Sequence, residues 1–215
     1  SVQQTTDGGY ILTGDKSNED VYLIKTDENG QEQWSQTFGD VGGERGYSVQ
    51  QTTDDGYIIC GYTGFFVGGN DGIYLIKTDE NGQEQWSQTF GDVDSNDIGR
   101  SVQQTSDGGY FLTGESNDRC VVYKTNQDGS LEWSQIFDEY GMGKSGQQTS
   151  DGGYIITGTT LSTTFFSYDI YLIKLDSEGN VTNTSTIELP TPTSKRELIK
   201  TTNILGQENT TIKNQ

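Results

Sequence analysis

The sequence predicts an all-β chain built as a β-propeller of four-stranded antiparallel blades, and three observations carry that expectation. First, one segment recurs four times: SVQQTTD at Ser1–Asp7 and Ser48–Asp54, SVQQTSD at Ser101–Asp107 and SGQQTSD at Ser145–Asp151, at offsets of 47, 53 and 44 residues. Periods of about 40 to 50 residues mark propellers, solenoids or arrays. Second, each period holds four short pieces rich in β-branched and aromatic residues, separated by glycine-containing turns. Third, none of the 215 residues is alanine and 29 are glycine, the best helix former against the worst ordinary one.

The second unit shows the pieces in order: SVQQTT from Ser48, YIICGY from Tyr57, IYLIKTD from Ile73 and EQWSQTF from Glu84. Asp-Gly-Gly (Asp7–Gly9, Asp107–Gly109, Asp151–Gly153) or Asp-Asp-Gly (Asp54–Gly56) joins pieces one and two. Glu-Asn-Gly (Glu28–Gly30, Glu80–Gly82), Gln-Asp-Gly (Gln127–Gly129) or Glu-Gly-Asn (Glu178–Asn180) joins pieces three and four. Asn-Gly and Asp-Gly supply the positive φ of tight hairpins. The block IKTDENGQEQWSQTFGDV stands verbatim at Ile24–Val41 and Ile76–Val93, with variants at Tyr123–Phe137 and Ile173–Thr186. Four antiparallel strands in about 45 residues make a propeller blade; a solenoid is the structural alternative, for which four-stranded units are long.

The repeats divide the chain near residues 1–47, 48–100, 101–144 and 145–189. Small and polar residues in the first piece suit a crowded central channel. The fourth piece carries Trp34, Trp86 and Trp133, and the second begins with Tyr10, Tyr57, Tyr110 and Tyr154; inter-blade packing is the expected role of all seven. Unit four has Asn183 in place of the Trp. Because the chain opens directly on a first strand, a truncated larger propeller is expected rather than a closed four-bladed one.

Composition bounds the function. Thirteen basic against 32 acidic residues give a net charge of −19, which argues against nucleic-acid binding and attachment to anionic membranes. Without histidine, Ser-His-Asp triads and histidine-ligated zinc or haem are excluded. No apolar run reaches the roughly 18 residues of a membrane span. A mean hydropathy of −0.71 leans towards disorder, but 11% aromatic residues lean the other way, and thin, many-stranded blades reconcile the two. Cys60 and Cys120 form no metal spacing and are expected to be unpaired. The 32 carboxylates make some pair suitable for glycoside hydrolysis inevitable and therefore uninformative, so no catalytic residue is assigned.

After Leu189 the pattern breaks. Pro190–Ser194 reads as a stiff linker, followed by the basic segment Lys195–Gln215, in which Ile199, Ile204, Leu205 and Ile212 seed one or two strands about Gly206. KRELIKTTNILGQE, at Lys195–Glu208, resembles the start of the C-terminal sorting domain of type IX secretion cargo in Bacteroidetes, a small β-sandwich whose later strands are missing here. The blades (GGYILTG, VYLIKTDENGQEQWSQTFG) are similar to repeats of secreted propellers of the same bacteria. The resemblance implies a secreted or outer-surface protein handled by the type IX machinery through a complete C-terminal domain.

Binding residues concentrate on loops held by a rigid scaffold. The connections between pieces two and three, and between blades, vary and share one propeller face; the constant turns share the other. Two features stand out on the variable face. GFFVGGNDG (Gly64–Gly72) and TTLSTTFFSYD (Thr159–Asp169) place Phe65, Phe66, Phe165, Phe166 and Tyr168 as candidate sugar- or protein-binding rings, the alternative being that they fold onto their own blades. In GDVDSNDIG, Asp92, Asp94 and Asn96 have the spacing of a calcium loop's first ligands, but Asp97 stands where glycine belongs and no Glu closes the frame; a solvated acidic loop is the simpler reading, and no cofactor is otherwise expected. The leading expectation is a secreted or surface binding module for polysaccharide or a cell-surface protein. A carbohydrate-active hydrolase and a passive scaffold are the alternatives.

Overall fold

A computed structural model describes residues 1–16, 20–39, 42–66, 70–92, 95–137, 141–161, 168–187, 201–202 and 208–209. Sixteen strands form four four-stranded antiparallel meanders. The first is β1 (Val2–Gln4), β2 (Tyr10–Asp15), β3 (Val21–Thr26) and β4 (Glu32–Phe38); the second is β5 (Glu44–Gln51), β6 (Tyr57–Phe66), β7 (Asn70–Thr78) and β8 (Glu84–Phe90). The third is β9 (Asp97–Gln104), β10 (Tyr110–Ser116), β11 (Arg119–Thr125) and β12 (Leu131–Phe137); the fourth is β13 (Met142–Gln148), β14 (Tyr154–Leu161), β15 (Tyr168–Leu175) and β16 (Val181–Ile187). The fold is a β-propeller, each repeat unit being one blade. The described residues include no helix. After the blades, β17 (Thr201–Thr202) pairs with β18 (Glu208–Asn209); most of the linker and C-terminal segment lies outside the described residues.

The turns follow the glycine pattern. Gly8, Gly108 and Gly152 have φ between +82° and +88°, and Asp55 takes the same place in blade 2 at +63°. In blade 3, Asn117 and Asp118, at φ +47° and +63°, join β10 to β11 in a two-residue hairpin. The Gly64–Gly72 insertion is less of a loop than its composition implies: β6 and β7 carry the ladder outward to the pair Phe66–Asn70. In blade 4, β14 and β15 likewise pair out to Leu161–Tyr168.

Blades stack face to face, so both faces of an inner blade are buried and alternation is lost. In β6, Tyr57, Ile58, Ile59 and Cys60 are all buried, alternate residues facing the blades before and after. Three cores result. Ile11, Val21, Leu23 and Phe38 of blade 1 meet Val49, Tyr57, Ile59 and Ile76 of blade 2. Ile58, Cys60, Ile73 and Leu75 of blade 2 meet Val102, Tyr110, Leu112 and Val121 of blade 3. Phe111, Cys120 and Val122 of blade 3 meet Tyr154, Ile156, Ile173 and Leu175 of blade 4. Cys60 and Cys120 are unpaired and belong to different cores; burial pushes their thiols up to about 12 and 11.

A lysine, buried in blades 1–3 and partly exposed in blade 4, ties each blade's constant turns together, a device not anticipated from the sequence. Lys25 Nζ donates to Asp7 Oδ2 at 2.8 Å, the Thr26 carbonyl at 2.8 Å and Gln33 Oε1 at 3.2 Å. Lys77 repeats this with Asp54, Thr78 and Gln85. Lys124 binds Asp107, Thr125 and Glu132, and Lys174 binds Asp151 and Leu175. The hydrogen bond from Lys25, helped by Thr5 and Gly9, holds the Asp7 carboxyl at about 2. Burial raises Asp107, but Thr105, Lys124 and Gly9's counterpart Gly109 outweigh it and leave that group also at about 2. Asp54 and Asp151 are shifted the same way. A carboxyl depressed in the folded state stabilises fully above its unfolded value, near 3.8, and loses that contribution as pH falls towards 2. These carboxylates are more than half exposed, so each contributes modestly, but all four are lost in one window. The Asp7→Asn, Asp107→Asn double variant should be less stable at neutral pH and show a flatter decline in urea midpoint between pH 4 and 2.

Candidate functional site

The inner strands β1, β5, β9 and β13 surround a central concavity of about 370 Å³, lined by Gln3, Gln50, Gln103, Gln147 and the valines beside them. Three of these amides are already engaged. Gln3 Oε1 accepts from the Gln51 amide at 2.6 Å, Gln50 from Gln104 at 2.6 Å and Gln103 from Gln148 at 2.7 Å. The lower channel is therefore a structural seam between blades.

Its upper mouth is different. Three inner strands carry the same β-bulge, where one residue stands without a cross-strand partner. Tyr47 lies between the pairs Gly46–Gly61 and Ser48–Cys60, Arg100 between Gly99–Gly114 and Ser101–Thr113, and Lys144 between Gly143–Gly158 and Ser145–Thr157. A bulge re-aims a side chain and is common beside functional sites. Each bulge reads Gly-x-Ser: Gly46-Tyr47-Ser48, Gly99-Arg100-Ser101, Gly143-Lys144-Ser145. The frame is constant and only its middle residue varies. Since each inner strand begins at the variable face, the bulges sit at that end of the channel.

Two of the bulge residues, Tyr47 and Arg100, are joined across blades. The Arg100 guanidinium lies 4.7 Å from the centre of the Tyr47 ring, and Tyr47 stacks on Tyr62 at 6.0 Å with 29° between planes. Arg100 also pairs with Glu115, which is buried. Next to the stack, Tyr62, Asp15 and Tyr47 favour the charged Arg45 guanidinium and raise its pKa. Lys144 of blade 4 is exposed, with Met142 Sδ 3.2 Å from its Nζ. Arg45 and Arg100 thus gather with Tyr47 and Tyr62 at this end of the channel, while Lys144 holds the homologous bulge position on β13.

The loops leading into β5 and β9 are closed by buried acids. Asp97, 1% exposed, accepts from the Ser95 hydroxyl and the Asp92 amide. Glu44 is buried at the corresponding start of β5. Of the proposed calcium ligands, Asp92 and Asn96 are exposed and Asp94 lies outside the described residues. Asn96 Oδ1 accepts from the Asp71 amide at 3.4 Å, while its own amide donates to Asn117. Among the described residues no group of three acids or cysteines could hold a metal ion.

Phe65 and Phe66 are the last two residues of β6, and Tyr168 opens β15. Phe165 and Phe166 lie outside the described residues. Tyr47, Arg100 and Lys144 were not singled out from the sequence. The signal that finds them is the Gly-x-Ser frame, masked because the residue that matters is the one that does not repeat.

At the level of sequence, no protein family and no curated protein is matched. Solved structures do resemble the chain. A protein of unknown function from Bacteroides caccae is 12% identical, with 86% of this chain and 80% of that one covered and a TM-score of 0.49. An unknown-function protein from Dyadobacter fermentans is 9% identical, with 87% and 63% covered and a TM-score of 0.59. The chain thus spans less than two thirds of the latter, and the likeness at that identity concerns the fold alone.

Proposed function

We propose that this propeller is a binding module, secreted or displayed on the cell surface, that holds a saccharide chain at the variable mouth of its channel. The observation that carries the reading is the set of three homologous bulges whose frame is constant and whose tips are Tyr47, Arg100 and Lys144. Aromatic rings and guanidinium planes offer flat surfaces and directional donors, the chemistry that recognises a sugar's apolar face and its hydroxyls. With a net charge of −19, a neutral saccharide is favoured over a polyanion. The resemblance of Lys195–Glu208 to a sorting domain supports the extracellular setting. Catalysis has less support: of the buried carboxylates at this end, Glu115 is tied to Arg100, Glu44 accepts from the Thr63 hydroxyl and Asp97 from the Ser95 hydroxyl.

A glycan array probed with the full chain should give hits among neutral polysaccharides. The Tyr47→Ala, Arg100→Ala variant should bind those hits at least about 10-fold more weakly, the loss of one to two good contacts. Absence of any glycan hit would overturn the saccharide reading.

A further inference from the structure

The three blade junctions share one construction. The Trp of one blade lies edge-on to the Tyr opening the second strand of the next, in the pairs Trp34–Tyr57, Trp86–Tyr110 and Trp133–Tyr154, at 5.7, 5.7 and 5.6 Å. The indole also covers the next blade's turn glycine. A Cβ on Gly82, Gly129 or Gly179 would come within 2.6, 2.6 or 2.9 Å of Trp34, Trp86 or Trp133. Across each seam, the amides of Thr6, Thr53 and Ser106 donate to the side chains of Gln51, Gln104 and Gln148.

Blade 1 has the receiving parts of this junction, unfilled. Gly30, the counterpart of Gly82, has no atom within 4 Å of its Cβ position. Tyr10, Leu12 and Ile24 are half-buried, where Tyr57, Ile59 and Ile76 are 1–2% exposed. Val2 is 62% exposed against 6% for its counterpart Val49.

The far side of blade 4 is also uncovered: Ile170 and Leu172 are 44% and 38% exposed, their counterparts Ile73 and Leu75 fully buried. It does not complement the vacancy, because Asn183 pairs with Lys174 where Trp34 pairs with Lys25. A second copy docking head to tail would bring no indole to Gly30.

We infer that the open face of blade 1 is a docking surface for a further blade of this repeat, one bearing a Trp in its fourth strand, rather than for a second copy of the chain. The three internal junctions show what covers such a face, and the open position over Gly30 shows what the occupant must supply: an indole. This is independent of the saccharide reading.

The test is the full chain with a second copy of residues 48–100 placed directly ahead of Ser1. Arg100 then precedes Ser1 as it naturally precedes Ser101. The melting temperature should rise by about 5 °C or more, since each added repeat contributes its interface. Amide exchange through Tyr10–Leu12 should slow at least about 10-fold. Trp86→Ala in the added copy should remove most of both effects. The inference fails if the added blade leaves Tyr10–Leu12 exchange unchanged, or if the Trp86→Ala copy protects equally well. It fails too if the unextended chain already dimerises with that face protected.

Discussion

Replacing Trp86 by alanine should lower the unfolding free energy by about 3 kcal/mol, the lower end of the range for a large aromatic in a core. The lower end applies because Trp86 is only partly buried against the blade 2–blade 3 core. Three losses combine: the edge-on contact with Tyr110, the cover over the Gly129 turn, and the packing against the blade 2–blade 3 core. Because blade contacts are nearest-neighbour, weakening this central junction should also divide the molecule. Blades 1–2 and 3–4 should begin to unfold as separate units. Urea titration measures the first effect; calorimetry should show the second as a broadened or split transition. A change below about 1 kcal/mol would mean that the indoles do not hold the blades together.

Gly61→Ala should be the most damaging such change among the described glycines, while the same change at Gly14 should be nearly silent. Both glycines lie in the second strand of a blade at equivalent positions. At Gly61 the new Cβ would fall 1.7 Å from the Arg45 carbonyl and 2.7 Å from its carbon, both backbone, so the bulge itself must move. Overpacking of this kind costs about 3 kcal/mol or more when backbone must yield. It would also shift Tyr47, coupling stability to binding. At Gly14 no atom lies within 4 Å, and alanine in place of a strand glycine is neutral to slightly favourable, by about 0.5 kcal/mol. Urea midpoints of the two variants, measured side by side, give the contrast. Equal effects would place the bulge contact elsewhere.

The blades were legible because repetition exposes whatever is copied. Turn glycines, the Trp34, Trp86 and Trp133 series and the Asn183 substitution all stood at fixed offsets, and their packing follows from one large ring per thin sheet. The lysine clamps were as regular but less readable. Lys25 inside VYLIKT looks like an outward-facing strand residue, and only the folded meander brings Asp7, Thr26 and Gln33 to its ammonium. The loop insertions drew notice by length, yet β6 and β7 turn much of the first into ladder. The bulges were hidden for a geometric reason. An extra residue in a strand changes no composition, and Gly-Tyr-Ser, Gly-Arg-Ser and Gly-Lys-Ser differ at the one position that stands in the bulge.

The most direct comparison is between two variants titrated with the same array-identified saccharide: Tyr47→Ala, Arg100→Ala at the bulges, and Phe65→Ser, Phe66→Ser at the end of the β6–β7 hairpin. If the bulge tips form the site, calorimetry should show the first pair losing about 10-fold or more in affinity and the second keeping that of the parent. Full affinity in the bulge variant, with binding lost in the hairpin variant, would contradict the assignment and return the site to the aromatic loops.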